Sequence, residues 1–137
     1  GSVAEFAVAV FSSEAQTLEL ARPYAASTRA LTTPAAFQCG ELDHWTAFVS
    51  LFHEHDWDPP ILAQALASKC FYIGALGSQR TAAARRESLL ALGLEAAAIA
   101  RIRGPVGLNI GARSPPEIAL AILSEIIQTR RLPRPAP

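Results

Sequence analysis

The sequence predicts an α/β domain of three layers, a mostly parallel β-sheet covered by helices on both faces. Three observations carry that reading. Short continuous apolar runs recur at Glu5–Phe11, His44–Phe52 and Cys70–Gly74, as in strands buried on both sides. Segments with helix start signals follow the runs, and strands alternating with helices build parallel sheets. The chain has 137 residues, 50% of them hydrophobic, enough for one real core and too few for two comfortable ones. Residues 3–130 are therefore read as a single domain and 131–137 as a proline-rich tail, while Gly1-Ser2 reads as a cloning scar.

Each element has its own signal. "EFAVAVF" (Glu5–Phe11) is a buried strand bounded by Ser12 and Ser13. Ser13 and Gln16 have the spacing of a capping box, which opens a helix that ends near Arg22, before Pro23. "STRALT" (Ser27–Thr32) is a weaker second strand. "HWTAFVSLF" (His44–Phe52) is the clearest strand. Asp58 then stands as N-cap and Pro59 as first helical residue of a helix to about Ser68. "CFYIG" (Cys70–Gly74) is another buried strand, Gln79–Leu92 a helix closed by Gly93, and "EAAAIARI" one or two helical turns. Ser114 and Glu117 form a second capping box, with Pro115 and Pro116 in the first turn. Ile118, Ile122, Leu123, Ile126 and Ile127 are expected on one face of that last helix.

Composition excludes several classes. Twelve basic and 12 acidic residues give zero net charge, so no global field draws nucleic acid or an anionic membrane, and any anion site must be local. No apolar run approaches the roughly 18–20 residues that span a bilayer. Cys39 and Cys70 are isolated in sequence, which fits free thiols in a cytoplasmic protein. Cys70 is expected in the core. Cys39 is left open to a reactive role.

In parallel α/β sheets ligands bind beyond the carboxyl ends of the strands, and three loops lie there. "IGALGSQRT" carries Gly74 and Gly77, with Ser78 placed as a helix cap and Arg80 in the first turn, followed by Thr81. Free N–H groups and the positive dipole end of a helix attract anions. A cation there costs on the order of 0.3–1 kcal/mol, which a bound anion would offset. The same glycines also suit a plain strand-to-helix turn. "FHEHDWD" places His53, His55 and three carboxylates within seven residues. It reads as a polar ligand-facing loop rather than a metal site, because His53 and His55 alternate faces if the strand continues. "RIRGPVGLNIGARSPPE" is a long glycine loop with Asn109 and Arg113, ahead of the capped helix.

Taken together, His53 and Asp58, "FYIGALGSQRT" and "GPVGLNIGARSPPEIALAILSEI" resemble the Rossmann-type C-terminal domain of the XdhC/CoxI family, the accessory proteins of xanthine dehydrogenase and related molybdenum hydroxylases. The resemblance is dense from Phe52 to Gln128 and loose before. It implies a chaperone-like module that binds molybdenum cofactor (molybdopterin), whose phosphate would meet the glycine loop, and that serves a molybdenum hydroxylase apoenzyme. The residues implied as cofactor-binding are His53, Asp58, Gly74, Gly77, Ser78, Arg80, Thr81, Asn109, Gly111 and Arg113, with Gly107 and Ala112 in the same loop.

The chain departs from the family's usual pattern at Phe52, Gln79 and Asn109, where Thr, a basic residue and Asp are more frequent. The family's opening strand, its F-G-A-G-H turn and its N-terminal cysteine-bearing domain have no counterpart here. The expectation is a reduced member or a piece of a longer protein. An uncovered sheet edge predicts a homodimer or a missing partner segment. No catalytic triad, activated cysteine or carboxylate pair stands out, so no intrinsic catalysis is expected. Two other readings stay open: an NAD(P)-binding oxidoreductase-like domain, disfavoured by the lack of G-x-G-x-x-G, and an interaction-only domain that docks on a molybdoenzyme.

Overall fold

The computed structural model describes residues 6–33, 37, 42–51 and 57–132. The chain divides into two compact units, Gly1–Gln38 and Cys39–Pro137. In the first, strand β1 (Ala9–Ser12), helix α1 (Ala15–Ala21) and strand β2 (Ser27–Ala30) form a βαβ turn, with β1 and β2 parallel and Ala9 opposite Ser27. Leu18, Leu31 and Phe37 are its buried side chains, and Phe37 meets Phe11 edge-on at 5.2 Å. The expected capping box at Ser13 is not formed. The strand runs one residue further than the apolar run, so Glu14 becomes the N-cap without a side-chain cap bond, and its N–H donates to Ser12 Oγ at 3.0 Å.

The second unit holds strands β3 (Ala47–Ser50), β4 (Tyr72–Ala75) and β5 (Ile102–Arg103), all parallel in the order β3-β4-β5. Helix α2 (Asp58–Ala67) connects β3 to β4, while α3 (Gln79–Ala91) and α4 (Ala96–Ile99) connect β4 to β5. Helix α5 (Pro115–Arg131) follows. All four residues of the central strand β4 are buried, which is why it reads as an unbroken apolar run. The core gathers Leu62, Ala65 and Leu66 of α2, Ile73 and Ala75 of β4, Leu89 of α3 and Ile99 of α4. Each large side chain among these contributes about 1.5–3 kcal/mol by leaving water. Cys70 lies in this core as a free thiol, as expected.

Helix ends follow local chemistry. Gly93 at φ +91° closes α3 with a Schellman pair of bonds, from Gly93 N to Leu90 O and from Leu94 N to Leu89 O. Ser114 and Glu117 make the complete capping box of α5. Three expectations need correction. Asp58 is the first helical residue rather than the cap of α2, because its carboxylate is drawn inward to other partners. Ile102 does not prolong the helical turns but pairs with Ile73 as β5; two residues are too few to show a strand's period. On α5 the buried positions are Ala121, Ile122, Glu125 and Ile126, while Ile127 is 41% exposed. The face has rotated toward Glu125, which has partners inside. Among the described residues no helix is long and apolar enough to cross a membrane.

Candidate functional site

Strand β4 ends at Ala75, and the chain leaves it through Leu76 and Gly77 into α3. Leu76 is held from both sides: its N–H donates to Ser50 O at 2.9 Å, and its carbonyl accepts from Arg85 Nη2 at 2.8 Å. Gly77 has φ +137°, and a Cβ there would stand 2.7 Å from Thr81 Cγ2, so both conformation and space require glycine. Ser78 Oγ accepts from Thr81 N at 3.2 Å and caps α3, as its position in the sequence predicts. No described residue accepts from the N–H groups of Gln79 and Arg80. The Arg80 side chain is exposed and makes no ion pair among the described residues. Two N–H donors without a described acceptor thus lie at the positive end of a 13-residue helix whose first turn carries the exposed Arg80.

Asp58 is 7% exposed. It accepts from Ser50 Oγ and from Arg85 Nη2 at 3.3 Å, the latter in a buried ion pair. Burying a carboxylate costs several kcal/mol unless such partners replace water. Asp58 and Thr81 come together as walls of a cavity of about 180 Å³, with Pro59, Ala84, Arg85 and Ser88. Arg85 also lines a second cavity of about 170 Å³, with Arg86, Leu89, Ile99, Ile102 and Gly104. Arg85 therefore lines both hollows while neutralising Asp58 and bracing the glycine loop, three tasks its place in a tandem Arg pair does not announce.

The loop after β5 approaches the first one at its base. Val106 N donates to Ala75 O at 3.1 Å. A Cβ on Gly74 would overlap Val106 Cγ2 and stand 2.9 Å from Tyr72 Cε1. Gly74 thus serves the joining of the two loops, a close approach of protein to protein. Gly107, at φ +99°, lies against Ala121 of α5. Its N–H donates to Glu125 Oε1 at 3.2 Å, while Leu108 N donates to Ala121 O at 3.1 Å. Asn109, Gly111 (φ +73°) and Arg113 are exposed beyond these anchors and Ala112 is half-buried. The backbone N–H groups of Arg113 and Ser114 both donate to Glu117 Oε1 at 3.0 Å. These bonds, first that from Arg113, hold the Glu117 carboxyl below its ordinary range.

Among the described residues no hydrogen bond joins Arg80 or Thr81 to Asn109, Gly111 or Arg113. The structure brings together Asp58 and Thr81 in one cavity wall, and Gly74 with the third loop. His53, His55 and Cys39 lie outside the described residues. No group of three His, Cys, Asp or Glu side chains among the described residues could hold a metal ion. Arg85, Glu125 and Tyr72 are the supporting residues that sequence reasoning missed. The one available signal was an acid at Glu125 inside an apolar helix stripe.

Parallel strands whose ends open into glycine loops and capped helices define a Rossmann-type domain. The XdhC Rossmann domain matches residues 1–126, and the chain belongs to that family. It is 38% identical over 90 residues to the molybdenum cofactor insertion chaperone PaoD of Escherichia coli, covering 66% of this chain and 28% of that protein. It is 38% identical over 85 residues to a probable xanthine dehydrogenase subunit of Bacillus subtilis, covering 62% of this chain and 24% of that one. The chain thus spans about a quarter of the length of these curated relatives. A crystal structure described as a xanthine dehydrogenase from Bacillus halodurans superposes with a TM-score of 0.76 at 27% identity, over 96% of this chain and 37% of that one.

Proposed function

We propose that this domain is the cofactor-handling part of an accessory protein that binds molybdenum cofactor and helps deliver it to a xanthine-dehydrogenase-type molybdenum enzyme. The observation that carries the reading is the start of α3: Ser78 caps it, the N–H groups of Gln79 and Arg80 have no described acceptor, and Arg80 is exposed and forms no ion pair among the described residues. That donor set fits a phosphate, which takes several short N–H bonds and carries more than one negative charge. Arg113 stands as a second exposed cation on the neighbouring loop. The name of the Escherichia coli relative, a molybdenum cofactor insertion chaperone, supports the choice of ligand. In this reading the chain's own residues bind and orient: Gly77 lets the backbone reach the phosphate, Ser78 fixes the helix end, and Arg80 and Arg113 hold charge. Asp58 acts indirectly, by holding Arg85 against the loop.

The test is an anaerobic calorimetric titration with molybdopterin released from a molybdoenzyme, run on the natural chain and on Arg80→Ala. Loss of one charge-assisted contact is expected to weaken binding about tenfold or more. Saturable binding of equal strength in both proteins would remove the phosphate from this loop. No binding by either would leave a domain that docks on the enzyme without touching cofactor, and a pull-down surviving Arg80→Ala and Arg113→Ala would support that outcome.

A further inference from the structure

Glu125 is a carboxylate where the apolar stripe of α5 calls for a hydrocarbon. It is 9% exposed, lies between Ile122 and Ile126 on the buried side of the helix, and forms no ion pair among the described residues. A buried charge without a counter-charge is tolerated only where hydrogen bonds to it replace water. Glu125 Oε1 accepts two such bonds, from Tyr72 OH at 2.6 Å and from Gly107 N at 3.2 Å. A leucine could fill the same volume between α5 and β4. It could not take the N–H of a loop residue.

The two donors have different roles. Tyr72 belongs to the fully buried central strand, is 1% exposed, and carries the Arg103 guanidinium 5.6 Å from its ring centre. It aims the carboxylate. Gly107 belongs to the loop, sits at φ +99°, and has its Cβ direction closed by Ala121 at 3.2 Å. Directly beyond it the chain turns outward to exposed Asn109, Gly111 and Arg113.

We propose that Glu125 is the positioning residue of the Gly107–Arg113 loop: its buried carboxylate, oriented by Tyr72, locks the Gly107 N–H and so sets the direction in which the loop carries Asn109 and Arg113 to the ligand. The inference deepens the anion-binding reading and rests on it for its ligand. The bond itself is a separate fact about the loop.

The test compares the natural chain with Glu125→Ala, Glu125→Gln, Tyr72→Phe and Arg113→Ala. Amide exchange at Gly107 and Leu108 is followed by NMR under native conditions, and inorganic pyrophosphate is titrated by calorimetry. Glu125→Ala is expected to speed exchange at Gly107 about tenfold relative to the α3 amides, and to weaken pyrophosphate about as much as Arg113→Ala does. Glu125→Gln keeps an acceptor oxygen and is expected to restore most of both. Tyr72→Phe, which leaves the Gly107 bond in place, should change the exchange less than Glu125→Ala.

A purely structural role predicts a lower melting temperature with Gly107 exchange and pyrophosphate affinity unchanged in the folded protein; that result overturns the proposal. So does weaker pyrophosphate binding in Arg113→Ala with none in Glu125→Ala. If Glu125→Ala does not fold, Glu125→Leu takes its place, since it fills the volume without offering an acceptor; exchange at Gly107 as slow as in the natural chain would then overturn the proposal equally. If the natural chain binds no pyrophosphate, the anion reading falls, and the exchange data alone decide whether Glu125 holds the loop.

Discussion

The loop after β4 and the loop after β5 lie at the ends of neighbouring parallel strands, both run into helices capped by serine, and both carry an exposed arginine near the helix start. They are stabilised in different ways. The first is short and largely holds itself: Ser78, Thr81 and Gly77 are bonded or packed within four residues of one another, with Leu76 braced from Ser50 of β3 and from Arg85, two helical turns on. The second is long and is held from outside, by Ala75 of β4 and by Ala121 and Glu125 of α5. A local loop carries its instructions in its own sequence. A loop anchored from a distance depends on residues that look unrelated to it.

Substitutions at the anchors sharpen this contrast, and the largest effect is expected at the brace of the first loop. Asp58→Ala leaves Arg85 as a buried charge without its partner, and breaking such a pair costs about 3–5 kcal/mol; chemical denaturation should show that loss, and a fall below about 1 kcal/mol would mean that solvent already screens the pair. Next comes the junction of the two loops. Gly74→Ala forces a methyl into Val106 and Tyr72 and is expected to cost about 1–3 kcal/mol as overpacking. Because both loops meet there, crystallographic or NMR comparison should reveal displacement at Val106 as well as at the substituted strand.

The caps come third. Ser78→Ala and Ser114→Ala should each destabilise by about 1 kcal/mol, with local exchange rising in the first turn of α3 or α5 respectively. The contrast predicts that Ser78→Ala also loosens its loop, whereas Ser114→Ala leaves Gly107 protected by Glu125.

Two titrations give smaller effects of opposite sign. Burial first, then the bond to Glu125, raises the Tyr72 phenol above its ordinary 10.0. Its contribution is therefore complete below pH 10 and is lost as pH rises through the raised value. Relative to Tyr72→Phe, the natural chain should lose stability only on the alkaline side. Glu117 is shifted the other way, below its ordinary 4.5. Its contribution is present above pH 4.5 and is lost as pH falls through the depressed value. The stability difference between the natural chain and Glu117→Ala should be flat at neutral pH and shrink in acid.

Legibility in the sequence followed the same division between local and distant. The buried strand β4, the Ser78 and Ser114 caps and the Gly93 stop are written in contiguous residues, and the structure has them where the spacing puts them; β1, read as a buried strand, is instead exposed at Ala9 and half-buried from Val10 to Ser12. The α/β class with parallel strands was equally readable, since an unbroken apolar run such as Tyr72–Ala75 reports burial on both faces. What the sequence did not disclose were pairings across many residues. Asp58 looked like a cap because it precedes Pro59, yet its partners are Ser50 and Arg85. Gly74 looked like a place for a ligand to approach, yet Val106 is what comes close to it. Glu125 has its partners 53 and 18 residues away, so the apolar stripe around it marks an unusual acid without naming what it binds. The face expected to carry Ile118, Ile122, Leu123, Ile126 and Ile127 leaves Ile127 exposed because the buried side of α5 is turned to Glu125.

The exposed positions of Arg80 and Arg113 have a consequence for how such a domain changes over time. Among the described residues neither side chain forms an ion pair, and each caps nothing that a serine beside it does not already cap. The scaffold asks nothing of them. A lineage could exchange either arginine, alter what the domain holds or abandon holding anything, and still inherit an intact sheet; descent could preserve the architecture long after the cargo had changed.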